Sequence, residues 1–391
     1  MKKILFIGCV LLFLGCQQDD IIAPSVYSCE LIIEDNFHSH PKSERFESAM
    51  RKVLEITPGV QIAVRSEDGN LWLGSQGFAD IANQAPFENC TQTMVGSVSK
   101  IYTAVATLQL QDDGILSIED PISDWISPEM VQEIENADQV SIKQLLNHTS
   151  GIRDYLAAEH FVNSLNTPYF KLSPEEKMEY IYGRSAELPP NTRYSYSNSN
   201  YVLLGLIVEK ARNMPFEQVI EEYISTPLGL KMTVMGTTEE PIPVTCARPY
   251  LALNNGNYFD VYQFGVADAA TGDGGIATNM YETLTFIEAI FDNTLVSENT
   301  LALMLSETAE DSNRRLYSET NVYGLGLRQH NTENGLLVGH SGSTSAYRAD
   351  LYHFPERGVT FAIAFNGDTE QDKEYIESLD LILELIDIAF E

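Results

Sequence analysis

Strand-like segments near both ends of this 391-residue chain, with a long stretch lacking them between, restrict the folds open to it. Val60–Arg65 and Leu71–Ala79 alternate around Asp68-Gly69, the pattern of a β-hairpin. Strand patterns return only at Gly324–Arg328, Leu336–Val338, Tyr347–Phe354 and Val359–Phe365. From Pro121 to about Glu298 helical spacing predominates. Within it, Ser173-Pro174-Glu175-Glu176 predicts a helix start with a capping box, and Tyr201–Arg212 and Phe216–Tyr223 read as helices separated by Met214-Pro215. Further helices are expected over Ser43–Ile56, Ser97–Gln111 and Glu374–Phe390. A sheet drawn from both ends, an inserted helical region and terminal helices covering the sheet make a discontinuous α+β domain. Its sheet part is expected at about 37–96 and 299–391, its mostly helical part at about 97–298.

Residues 1–15 stand apart from that domain. Lys2 and Lys3 precede an apolar run from Ile4 to Leu14, too short to span a bilayer permanently and shaped like a secretory signal. Gly15-Cys16 at its end resembles a bacterial lipoprotein cleavage site, with Cys16 as the lipidated residue, although Phe13 stands where Leu is usual. An ordinary signal peptide is the alternative. The expectation is an exported protein of the cell envelope, an outer-membrane lipoprotein facing the periplasm or the cell surface, with residues 16–36 as a polar linker.

Charge and cysteine usage narrow the partners. Loss of residues 1–15 removes two lysines and leaves 22 basic against 56 acidic side chains, a balance of −34. That field disfavours nucleic acid and anionic membrane faces, and an acidic substrate would need a positive group inside the site. Cys29, Cys90 and Cys246 remain beyond Cys9 and Cys16, and an oxidising compartment permits one disulfide, with Cys29–Cys90 the expected pair. No CxxC, HExxH or helical zinc spacing occurs among the seven histidines, so no metal or other cofactor is expected.

The chemistry concentrates in three stretches. Met94–Tyr102 runs from a polar turn into an apolar, alanine-bearing segment, so Ser97 and Lys100 share one face where a helix begins. There an amine can take the hydroxyl proton and free backbone N–H groups can hold an oxyanion. The same spacing at Ser39 and Lys42 offers no helix start. Tyr194–Tyr201 is a polar loop before an apolar helix; Tyr196 can relay protons and Asn198 can grip an amide, or the loop merely turns and caps. Val338–Ser343 is a Gly-flanked segment along which a ligand backbone can pair, while His340 alone would be an ordinary polar loop residue.

Taken in order, Ser97-Val98-Ser99-Lys100, Tyr196-Ser197-Asn198 and His340-Ser341-Gly342 resemble the S-x-x-K, Y-x-N and H/K-x-G motifs of penicillin-recognising serine enzymes related to class C β-lactamases and D-alanyl-D-alanine carboxypeptidases. Leu145–Gly151, Gly274–Thr278 and Tyr323–Arg328 also look like that family, and the resemblance covers roughly residues 40–390. It implies an antiparallel sheet flanked by helices, with an inserted all-helical subdomain and the site between them. It makes Ser97 the nucleophile, Lys100 its base or proton shuttle, and Tyr196 the relay to the leaving group. His340 would hydrogen-bond in this cluster and help bias Tyr196, and Asn198 would bind the substrate amide. Gly342 belongs to the strand that receives substrate, and the N–H groups of Ser97 and Ser343 would form the oxyanion hole. His148 is read as shaping a loop.

His340 stands where class C β-lactamases carry Lys, which resembles instead the carboxypeptidase, D-aminopeptidase and esterase branches. Tyr323–Arg328 favours the carboxypeptidase branch and makes Arg328 the group that meets a terminal carboxylate. A surface arginine at a strand end is the alternative for Arg328, and Arg348 competes for the role. The expected function is therefore an exported acyl-enzyme hydrolase of the D-Ala-D-Ala carboxypeptidase type, acting on a small peptide. A β-lactamase or esterase of the same family is the alternative, and a non-catalytic penicillin-binding or scaffold protein is a further one.

Overall fold

A computed structural model of the chain describes residues 40–54, 57–156, 172–237, 242–243, 245–252, 257–262, 271–306, 309–310, 321–344, 346–368 and 371–391. The signal-like run, Cys16, the linker and Cys29 lie outside the described residues. Cys90 is disulfide-bonded, and Cys246 is a buried thiol.

The sheet comes from both ends of the chain. Strands β1 (Gly59–Arg65), β2 (Leu71–Asp80) and β3 (Ala85–Pro86) are early; β4 (Ala309–Glu310), β5 (Asn321–Tyr323), β6 (Arg328–Thr332), β7 (Gly335–Ser343), β8 (Arg348–Phe354) and β9 (Val359–Phe365) are late. They form one nine-stranded sheet, its consecutive pairs antiparallel, in the order β3-β2-β1-β9-β8-β7-β6-β5-β4. The early and late groups meet where Ile62 of β1 faces Ile363 of β9.

Strand periodicity sorts β9 onto two cores. Phe361, Ile363 and Phe365 pack with α1 (Ser43–Val53) and the C-terminal helix, while Ala362 and Ala364 join the larger core on the opposite face. The larger core holds three helices that matter for the site: α2 (Ser99–Asp112), α3 (Asn198–Arg212) and α4 (Met280–Phe291). The C-terminal helix, α5 (Gln371–Phe390), covers the outer face through Leu381, Ile382, Leu385 and Ile386.

One expectation holds and two shift in detail. The capping box at Ser173 forms, with Ser173 Oγ accepting from Glu176 N at 3.2 Å and Glu176 Oε2 from Ser173 N at 2.7 Å. The span 97–298 also carries short strands, Val234–Met235, Tyr250–Ala252, Tyr258–Asp260 and Ile276–Thr278, and α4 within it packs against the main sheet. Of Gly324–Arg328, Arg328 begins β6, but Gly324–Leu327 is not a strand. It is the turn between β5 and β6, because Gly326 takes φ +83° and both Leu325 and Leu327 must reach the core. An alanine Cβ at Gly326 would stand 2.4 Å from Ala104 Cβ of α2.

Candidate active site

The Ser97 turn is held between a helix and a strand. Gly96–Val98 form a single 3-10 turn that runs directly into α2, so Ser97 lies at the helix approach and Lys100 inside its first turn. Gly96 has φ +51°, and a Cβ there would lie 2.8 Å from the Ser343 nitrogen. A Cβ on Gly342 would fall 2.0 Å from the Val95 carbonyl and 2.7 Å from the Ser97 nitrogen. Only two glycines allow β7 and this turn to approach so closely. Residues 335–339 of β7 pair with β6 and 338–343 with β8, so β6 ends its pairing before His340 and the 340–343 end of β7 lies beside Ser97.

Ser97 is half-buried, and Lys100 is fully buried. Lys100 Nζ lies 3.0 Å from Ser97 Oγ, and Tyr196 Oη lies 2.9 Å from the same oxygen. Two elements distant in sequence thus bring an amine and a phenol to one hydroxyl. Lys100 Nζ also donates to Asn198 Oδ1 at 2.8 Å and to the Asp273 carbonyl at 2.7 Å. With these two acceptors fixed, the remaining direction of the amine points at Ser97.

Asn198, the first residue of α3, is held at both ends. Its backbone N–H and Nδ2 donate to the Asp154 carboxylate at 3.2 and 3.0 Å. A carboxylate accepts, so the amide nitrogen must face Asp154 and the amide oxygen faces Lys100. One Nδ2 proton remains for another acceptor, such as a substrate carbonyl. Burial raises the Asp154 pKa, opposed by the Leu156 N–H and the Lys100 charge.

His340, on β7, is 1 % exposed. Its Nδ1 lies 2.5 Å from the Ser341 carbonyl, which can only accept, so this nitrogen carries the proton. Nε2 then accepts from Tyr323 Oη at 3.0 Å. Its ring centroid lies 6.3 Å from that of Tyr196, and its hydrogen-bond partner is Tyr323, a contact that the sequence did not predict. Burial pushes the Tyr323 pKa well above the ordinary phenol range, so it serves as a neutral donor.

Arg328 is not a surface residue. It is 2 % exposed, with Cζ 5.5 Å from the Tyr196 ring and 5.4 Å from the Tyr323 ring. Arg348 stands opposite Ser343 on β8, its Nε 3.3 Å from Asp350 Oδ2. Because His340 pairs with Leu351, three residues from Arg348, strand alternation puts Arg348 on the other sheet face. Ser343 is exposed and its backbone adjoins the Ser97 turn. His148 lies beneath the cluster, its ring centroid 4.4 Å from that of Tyr196.

The structure thus brings Ser97, Lys100, Tyr196 and Asn198 together, with Gly342 and Ser343 alongside and His340 and Arg328 against Tyr196. Sequence reasoning missed Asp154, Tyr155 and Asp273, although the first two lie three and four residues after Gly151, the end of Leu145–Gly151, and the third directly precedes Gly274. Among the described residues no group of side chains has a metal-binding arrangement.

Comparison with known proteins places the chain in a family. The Beta-lactamase family model matches residues 46–383. The chain belongs to the β-lactamase family. Penicillin-binding protein 4* of Bacillus subtilis (strain 168) is 27 % identical over 326 residues, covering 79 % of this chain and 68 % of the relative. A D-aminopeptidase of Cereibacter sphaeroides (strain ATCC 17029 / ATH 2.4.9) is 26 % identical over 297 residues, or 75 % of this chain, which spans 53 % of that relative. The D-amino acid amidase from Ochrobactrum anthropi SV3 complexed with L-phenylalanine amide has the same fold, with a TM-score of 0.77 at 21 % identity, covering 88 % of this chain and 97 % of that structure. The relatives make this chain a β-lactamase-family serine hydrolase.

Proposed function

We propose that this hydrolase works through an acyl-enzyme on Ser97 and acts as a D-alanyl-D-alanine carboxypeptidase-like peptidase. The observation that carries the reading is the placement of Lys100 Nζ and Tyr196 Oη at 3.0 and 2.9 Å from Ser97 Oγ. Ser97 Oγ forms a bond to the substrate carbonyl carbon as its proton passes to Lys100. The Ser97 and Ser343 N–H groups receive the carbonyl oxygen. The C–N bond then breaks, and the departing amine takes a proton through Tyr196. Water, losing its proton to the same pair, attacks the acyl ester and frees Ser97.

Arg328 supports a substrate with a free carboxylate, because it places a guanidinium behind Tyr196 in an otherwise acidic protein. A D-aminopeptidase or D-amino acid amidase is the second reading, favoured by relatives and neighbours bearing those names. The complete Ser97, Lys100 and Tyr196 set argues against a non-catalytic scaffold. Export with a lipid anchor on Cys16 fits the reading. It predicts that Cys16→Ser moves the protein from the membrane to the soluble fraction.

The deciding experiment compares turnover of a D-Ala-D-Ala peptide, a D-amino acid amide, a β-lactam and a short ester, alongside fluorophosphonate labelling read by mass. Labelling of the wild type and none of Ser97→Ala is expected. No adduct, or an equal adduct in Ser97→Ala, removes the nucleophile. Arg328→Ala should lose about tenfold or more of any preference for a free carboxylate over its amide, the scale of a charged hydrogen bond. An unchanged preference removes Arg328 from the substrate site.

A further inference from the structure

Lys100 has two protein acceptors besides Ser97, the Asn198 amide oxygen and the Asp273 carbonyl, and each is held by one of two consecutive residues. Asp154 accepts from Asn198 N at 3.2 Å and from Asn198 Nδ2 at 3.0 Å. Tyr155 Oη donates to Asp273 Oδ2 at 2.9 Å. We infer that Asp154-Tyr155 is a two-armed clamp that positions the Lys100 amine against Ser97 Oγ. The inference rests on the Ser97–Lys100 reading given above and makes Asp154 and Tyr155 positioning residues.

The Asp154 arm works through amide orientation. Were Asn198 turned over, its oxygen would face the carboxylate and its N–H groups would face the Lys100 amine. Both contacts would set like against like, so Asp154 selects the orientation that offers Lys100 an acceptor. The Tyr155 arm works through a loop. The Asp273 carboxylate is tied to Tyr155 Oη and to Thr271 Oγ1, which itself accepts from the fully buried Lys177 at 3.1 Å. Thr103 Oγ1 of α2 holds the intervening Gly272 carbonyl at 2.6 Å. With its side chain and its neighbours fixed, Asp273 presents its carbonyl to Lys100.

The clamp is itself bound to α3. Ser199 Oγ accepts from Tyr155 N at 2.9 Å and donates to the Arg153 carbonyl at 2.7 Å. Ser150 Oγ donates to Asn200 Oδ1 at 2.7 Å. The segment 150–155 therefore moves with the start of the helix that carries Asn198, and the two acceptors keep a constant separation around Nζ.

The test is saturation labelling of the full chain with a fluorophosphonate, separating the maximal labelling rate from the half-saturating concentration. Tyr155→Phe, which deletes one oxygen, and Asp154→Asn, which puts an amide nitrogen where Asn198 donates, should each lower the maximal rate about tenfold or more, with half-saturation changed less than about twofold. In an Asn198→Ala background Asp154→Asn should add less than about twofold, while Tyr155→Phe keeps its full effect there and loses it in Asp273→Ala. A merely structural role would lower the melting temperature and add equally in every background. Such equal addition, or a wild-type maximal rate in Tyr155→Phe, overturns the clamp. If Asp154→Asn fails to fold, the Tyr155→Phe and Asp273→Ala cycle decides alone. Failure of the underlying reading looks different: Ser97→Ala is then labelled like the wild type.

Discussion

The two sides of Ser97 are made of different material. On the helical side the hydroxyl meets side chains: Lys100 and Tyr196, backed by Asn198 and His148. On the strand side backbone meets backbone, with Gly96 against Ser343 and Gly342 against Val95 and Ser97. The helical side can be adjusted group by group and responds to protons. The strand side depends on a fixed spacing between two chains, so it tolerates no added atom at the contact yet is indifferent to what projects away from it. One face supplies the movable protons, the other a rigid cradle for an oxyanion.

The largest break in that comparison is expected from Gly342→Ala. A Cβ 2.0 Å from the Val95 carbonyl cannot be accommodated unless β7 moves off the turn, and that movement separates the Ser343 and Ser97 N–H groups. Acyl transfer should fall about 10²–10³-fold, the range for loss of one oxyanion donor, as measured by fluorophosphonate labelling beside a thermal melt. A labelling rate near wild type would show that the strand contact does not define the oxyanion site.

The helical side should show itself through acid sensitivity. His148 Nδ1 lies 3.2 Å from Ser197 N, which can only donate, so Nδ1 accepts and the ring is neutral with its proton on Nε2. Burial, then the Lys100 and Arg328 charges, hold the His148 pKa well below its ordinary value. His330 and His353 within the sheet are lowered by burial to about 4. Each unfolded imidazole binds a proton near pH 6.5, so its contribution to stability is present above that pH. It is lost as pH falls, for the two sheet histidines until about 4. Each neutral histidine contributes a slope of up to about 1.4 kcal/mol per pH unit within its window. His148→Asn keeps an acceptor for Ser197 N and suits the positive φ of 59°. It should remove one such share from the slope, read by urea denaturation between pH 7.5 and 4.5; an unchanged slope would mean that His148 does not report the charge on this side.

The motifs were legible because acyl transfer demands particular atoms at short range, and the sequence keeps them in compact groups such as Ser97–Lys100 and Tyr196–Asn198. The sheet was legible from its two-residue alternation, most plainly in Phe361, Ile363 and Phe365 against Ala362 and Ala364. Gly324–Arg328 misled because alternating Gly and Leu copies strand periodicity, whereas the left-handed φ of Gly326 belongs to a turn. Asp154, Tyr155, Asp273 and Tyr323 were illegible for another reason. Each acts on a partner distant in sequence, Tyr155 on Asp273 and Tyr323 on His340, and no local spacing records such a pair.

The smallest effect is expected at Ser343, and it sharpens the contrast most. Ser343 is invoked for its backbone nitrogen, which Gly342 and Gly96 hold beside Ser97, while its side chain is exposed at the end of β7. Its hydroxyl is therefore dispensable where its peptide is not. Ser343→Ala should label within about threefold of wild type and melt within the range of an ordinary surface substitution. The neighbouring Gly342→Ala adds a single carbon and should lose at least a hundredfold, on the scale of an oxyanion donor. If Ser343→Ala were instead the more damaging change, the hydroxyl would be taking part and the strand side would not be a backbone device. Ser343→Gly then separates the two cases, since it keeps the N–H and deletes the side chain altogether.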